Sequence, residues 1–139
     1  MGNLTITVAD VAVIAMRDED TFTGPAQEAI TAGQYVRLNT TYGTVELGKA
    51  TTSAESRNGG IAINSAAAGA AVVAIVRGQM DLGEALAGLG YDADIYLSDT
   101  DGTLATSTGT VTKIIGRTWP FWDNSTPGIT LKVEVGDNE

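Results

Sequence analysis

Two carboxylates two residues apart and followed by glycine, Asp99-Thr100-Asp101-Gly102, have the spacing found inside a calcium-binding loop. Such a loop needs an oxygen ligand two residues earlier, and Leu97 stands there, so these residues read as a turn. Arg17-Asp18-Glu19-Asp20 could hold a cation loosely, but a solvated loop is the simpler reading. The chain has no cysteine and no histidine. That excludes a thiolate nucleophile, a disulfide framework, a Ser-His-Asp triad, an imidazole base and a His-ligated zinc. No glycine-rich phosphate loop follows a strand. Carboxylate pairs for glycoside chemistry are not recognisable from spacing, and no acid here has an apolar context that would desolvate it. The expectation is no enzyme activity, no catalytic residue, no metal and no cofactor.

Binding chemistry is better represented. Arg117-Thr118-Trp119-Pro120-Phe121-Trp122 gathers both tryptophans and one of the two phenylalanines. Tryptophan buries a large area at small entropic cost and is a typical interface anchor. The cluster reads either as a plug over the end of a barrel or as an anchor, with Arg117 placed to stack on one of the rings. Near the start of the chain, Leu4, Ile6 and Val8 alternate with Thr5 and Thr7 in a strand that begins almost at Met1. A strand there either closes its own barrel or extends a neighbour's sheet. The candidate interface residues are therefore Leu4, Ile6, Val8, Trp119, Phe121 and Trp122.

The elements that must position them show the period-2 pattern of sheets with one face on a core. Ile129, Leu131, Val133 and Val135 alternate with Thr130, Lys132 and Glu134. Val36 and Leu38, Val45 and Leu47, and Ile95 and Leu97 face inward on further strands, and the run 71–77 is dense enough to be buried on both faces. Shorter strands fit 60–64, 103–106 and 111–117. Thr41-Tyr42-Gly43 and 99–102 read as hairpin loops, and Gly59-Gly60, Ala68-Gly69 and Pro127-Gly128 as breaks. The polar stretch 17–27, with Gly24-Pro25, reads as a surface loop. The stretch 81–89 is a short helix capped by Asp81 or an irregular loop.

A repeat underlies these strands. Val36-Arg37-Leu38 with Gly43-Thr44-Val45 recurs 59 residues later as Ile95-Tyr96-Leu97 with Gly102-Thr103-Leu104. Another strand pair follows each copy, so the expected fold is all-β: a small β-barrel or sandwich built from a duplicated four-strand unit, with at most one short helix. The expected organisation is an N-terminal β arm at 1–14, a barrel domain at 15–135 with copies at about 30–77 and 89–135, and a frayed tail at 136–139.

The chain carries 17 acidic and 8 basic residues, a net charge of −9. Phosphate backbones repel such a surface, so no nucleic-acid partner is expected. The apolar runs are too short to span a membrane, and Met1-Gly2-Asn3-Leu4 lacks the basic start of a signal peptide, which points to synthesis in a cytoplasm. The triplets Asn3-Leu4-Thr5, Asn39-Thr40-Thr41 and Asn124-Ser125-Thr126 then match the glycosylation pattern by chance.

Four segments together resemble a known family: 30–38 (Ile30-Thr31-Ala32-Gly33-Gln34-Tyr35-Val36-Arg37-Leu38), 59–69 (Gly59-Gly60-Ile61-Ala62-Ile63-Asn64-Ser65-Ala66-Ala67-Ala68-Gly69), 72–78 and the second Ile95-Tyr96-Leu97 hairpin. Over roughly residues 30 to 118 the chain resembles the capsid decoration, or cement, proteins of tailed phages. The 119–122 aromatic insert stands outside that pattern. The resemblance implies a non-enzymatic β-barrel on the outer capsid surface of the virion, clamping neighbouring copies of the major capsid protein, commonly as a homotrimer. The competing reading is a non-catalytic carbohydrate- or ligand-binding β module that uses the Trp119–Trp122 cluster as a stacking platform.

Overall fold

The computed structural model describes residues 3–15, 20–123 and 126–135, with backbone alone for 15, 121–123 and 126–128. The strands are β1 (Ala12–Ala15), β2 (Thr21–Pro25), β3 (Tyr35–Leu38), β4 (Val45–Leu47), β5 (Gly59–Ala62), β6 (Ala71–Ile75), β7 (Arg77–Asp81), β8 (Asp94–Leu97), β9 (Leu104–Ala105), β10 (Ile114–Asp123) and β11 (Thr126–Glu134). They form two antiparallel sheets, ordered β1-β7-β11-β10-β8-β9 and β2-β6-β5-β3-β4. The fold is all-β and sandwich-like, and neither sheet closes into a barrel.

Apart from β1 at its edge, the six-stranded sheet repeats the topology of the five-stranded one. Strands β2 to β6 pair in the order in which β7 to β11 pair, so the repeated unit has five strands rather than the expected four. Register agrees at the hairpins: Leu38 faces Val45 and Leu97 faces Leu104, at the 59-residue offset. So do the turns. Asn39 N–H donates to Thr44 O, and Ser98 N–H donates to Thr103 O. The Asn39 side chain accepts from Thr41 N–H at 2.9 Å, and the Ser98 hydroxyl accepts from Thr100 N–H at 3.0 Å. Equivalent side chains thus fold each hairpin back on itself.

One core lies between the sheets. Tyr35, Ile61 and Ile75 meet Met80, Ile95, Leu97, Leu131 and Val133 there. A second lies on the other face of the five-stranded sheet, where Ile30 covers Val36, Val45, Ala62, Val72 and Ala74. Successive residues such as Tyr35 and Val36 feed opposite clusters, so β3, β5 and β6 are buried on both faces, as the density of 71–77 suggested.

Several expectations are corrected. Residues 4–8 form no strand: Asn3 bridges Ala105, Leu4 N–H donates to Leu104 O, and a single 3-10 turn follows at Val8–Asp10. Leu4 and Ile6 still face the core while Thr5 and Thr7 face solvent, so the alternation records one-sided burial without a ladder. The segment nonetheless has a closing role. In the first unit Gln27 N–H donates to Val45 O, and in the second Leu4 N–H donates to Leu104 O, the equivalent carbonyl. The expected surface loop at 17–27 contains β2, whose Gly24 and Pro25 sit at a sheet edge, where a missing donor costs little.

Residues 71–77 are two strands. The chain crosses between sheets at Val76, which donates to Asp20 O and accepts from Val135 N–H. Residues 81–89 hold one 3-10 turn, Gly83–Leu86, because Gly83 takes φ +62° and Asp81 caps its N–H instead of a helix. Gly59-Gly60 and Pro127-Gly128 lie inside β5 and β11 rather than breaking strands. Among the described residues one α-helical turn forms, α1 (Ser53–Ser56), with the capping pair Thr52 and Glu55. The 99–102 stretch is a hairpin turn, and its Asp99 carboxylate accepts from Thr110 N–H at 2.8 Å and from the Thr110 hydroxyl at 2.7 Å. These bonds hold it below the usual carboxylate range. Most of the Arg17–Asp20 cation loop and the tail 136–139 lie outside the described residues.

Candidate functional site

Strands β10 and β11 are the longest in the molecule among the described residues, and they outrun their neighbours. β8 registers with β10 only as far as Arg117, and β7 with β11 only as far as Leu131. Beyond that, Trp119–Asp123 and Thr126–Thr130 are strand-paired only with each other, with Trp119 opposite Thr130. The aromatic segment is therefore part of a hairpin ribbon, not an insert between strands. Two of the chain's three prolines lie in it. Proline removes donors from a sheet edge and discourages strand addition, so contact here falls to side chains.

Thr118 and Leu131 are opposite each other and fully buried, so alternation turns Trp119 and Thr130 to the outer face of the six-stranded sheet. Trp119 is 37% exposed there. It is not a plug over the core. Its setting is fixed by neighbouring strands: the Thr130 hydroxyl donates to Trp119 O at 2.9 Å, and Gln79 Nε2 donates to the Thr130 hydroxyl at 2.8 Å. Lys132 Nζ lies over the ring, 4.3 Å from its centroid. The cation on the Trp119 ring is thus Lys132, not Arg117. Arg117 is drawn away by Asp92 at 2.8 Å and Asp94 at 3.5 Å. The Asp92 hydrogen bond and charge raise the Arg117 guanidinium above its usual value, and Asp94 and Glu134 add to this.

Around Trp119 the face carries cations and carboxylates in pairs. Arg77 lies 3.7 Å from Asp20, and Lys132 lies 3.5 Å from Glu134. A shallow cavity of about 280 Å³ runs between Arg77, Gln79, Trp119, Lys132 and Glu134. Sequence alternation already turned Lys132 and Glu134 outward. What put Gln79 and Arg77 beside them is the β7–β11 register, which no local signal gives.

The other sequence candidates fall elsewhere. Leu4 and Ile6 are half-buried against the inner core, on the opposite side of the sheet from Trp119, and Val8 is exposed. Phe121 and Trp122 are in β10, opposite Gly128 and Pro127, and their side chains lie outside the described residues. The site therefore centres on Trp119 and does not unite the two ends of the chain. Among the described residues no three of His, Cys, Asp and Glu meet in a way that could hold a metal ion, and no helix is long and apolar enough to cross a membrane. The arrangement can stack, form ion pairs and exclude water from a partner's surface. No protein-family model, curated protein or solved structure matches the chain.

Proposed function

We propose that this protein is a virion structural protein that binds the outer surface of an assembled phage capsid and stabilises it by clamping neighbouring capsid subunits. It acts without catalysis or cofactor, its partners are the major capsid protein and further copies of itself, commonly three together, and it is made in the host cytoplasm. The observation that carries this reading is Trp119. It is a rigid aromatic anchor held half-exposed on a two-sheet scaffold and ringed by paired charges. The likeness of residues 30–118 to decoration proteins supports the identity of the partner. A shell offers many equivalent sites, so modest contacts to the shell and between neighbouring copies add up. Sugar stacking has less support, because the Lys132 ammonium covers the Trp119 ring.

Cosedimentation of the purified chain with assembled capsids of its own phage tests the reading. Saturable capture is expected, weakened at least about tenfold by Trp119→Ala. Absence of capture, or capture indifferent to that substitution, counts against it.

A further inference from the structure

Asn58-Gly59 is the one asparagine–glycine sequence in the chain. Glycine has no side chain to shield its backbone nitrogen, so that nitrogen can reach the carboxamide of a preceding asparagine. Hydrogen bonds hold the other described asparagine side chains in place. The Asn3 side-chain oxygen accepts from the Ser98 hydroxyl at 2.8 Å. That of Asn39 accepts from Thr41 N–H at 2.9 Å and Tyr42 N–H at 3.1 Å, and that of Asn64 from Val73 N–H at 2.8 Å. Of the described asparagines, Asn58 alone has a carboxamide without such a bond, and the residue is exposed. The analogous aspartate junction, Asp101-Gly102, has its Gly102 N–H committed to Gly48 O at 2.7 Å.

We propose that Asn58 is a site of spontaneous covalent modification, deamidating to aspartate and isoaspartate in the folded chain. Gly59 N bonds to Asn58 Cγ, the Cγ–Nδ2 bond breaks, and ammonia leaves with the Gly59 proton. Water then opens the cyclic imide at either carbonyl, and no other reactant is needed. The fold gates the first step. Asn58 takes φ +56°, and its backbone carbonyl accepts from Leu38 N–H at 2.9 Å. Bringing Gly59 N to the carboxamide turns that carbonyl away, so the reaction waits on local opening where β5 begins against β3.

The same contacts make the outcome lasting. In the isoaspartyl product the main chain runs through Cβ and Cγ of residue 58 and is longer by one carbon. The carbonyl that took Leu38 N–H becomes a free carboxylate. Gly59 follows directly, with no room for a Cβ against the Tyr35 phenol and Val36 O, so a backbone shift there meets buried atoms. Modification therefore loosens β5 from β3 with age and adds negative charge to a chain already at −9. This holds whatever partner the chain binds.

Warm incubation of the full chain in mildly alkaline buffer, followed by peptide mass mapping, tests it. Asn58 should convert, with release of ammonia, ahead of Asn3, Asn39 and Asn64. Unfolding in urea should speed the conversion about fivefold or more, which is the restraint of one backbone hydrogen bond. The isoaspartyl chain, once purified, should melt about 5 °C or more below Asn58→Asp, which has the same charge and no added main-chain carbon. Asn58→Gly, which suits the positive φ, should keep its melting temperature through the same incubation. Asn58 left intact while the urea-unfolded chain converts, earlier conversion at Asn3, Asn39 or Asn64, a rate indifferent to urea, or an isoaspartyl chain that melts with Asn58→Asp overturns the proposal.

Discussion

Gly59→Ala should destabilise the protein by about 3 kcal/mol or more. The cause is the Tyr35 ring. It is fully buried and its hydroxyl donates to Ser56 O at 2.6 Å. It passes so close to Gly59 and Gly48 that neither position has room for a Cβ. At Gly59 the added carbon would overlap the Tyr35 phenol and lie 2.6 Å from Val36 O. The backbone oxygen cannot yield without breaking the β3–β5 ladder, and the phenol cannot yield without losing its buried hydrogen bond. Urea unfolding checks this. A loss under 1 kcal/mol would mean that the β3–β5 contact is looser than described.

Removal of residues 1–8 should cost about 3 kcal/mol, or a drop in melting temperature on the order of 10 °C. Leu4 and Ile6 are each half-buried, worth about 1 kcal/mol apiece, and Leu4 adds a backbone bond to Leu104 worth about as much again. The loss falls on the second unit, because the first is closed by Gln27 on Val45 and keeps that closure. Hydrogen exchange should therefore speed up at Leu104 and Ala105 more than at Val45 and Glu46. Equal protection in the shortened chain would contradict the closing role. The same experiment decides what the N-terminal segment is for. As a part of the fold it affects melting, whereas as a free arm it would affect partner binding alone.

The repeat is legible in the sequence because it is written in local chemistry. Asn39 and Ser98 both turn their hairpins through a side-chain oxygen, Gly43 and Gly102 both take positive φ, and inward residues match across the offset. The fifth strand of each unit is not legible. β2 ends in Gly24-Pro25, which signals a break anywhere except at an edge. Only Val76 separates the end of β6 from the start of β7, so the two read as the same strand, and only the hydrogen bonds of Val76 reveal the change of sheet. Gly59-Gly60 misleads for a related reason. Glycine commonly marks a turn, but here it makes room for a ring that arrives from 24 residues earlier.

The candidate site divides in the same way. Trp119 is legible by residue type, and the outward direction of Lys132 by alternation. Their meeting depends on the β10–β11 register, which neither residue signals on its own. Arg117 looks as suited to the ring as Lys132, and it is Asp92, in a loop residue of positive φ, that takes it elsewhere.

Imaging particles that carry the protein beside particles that lack it decides whether the chain sits on the shell. Discrete density is expected on the outer surface, seated where capsid subunits meet and missing from the deficient particles. A shell with the same outline in both, or purified virions without this chain, would contradict it.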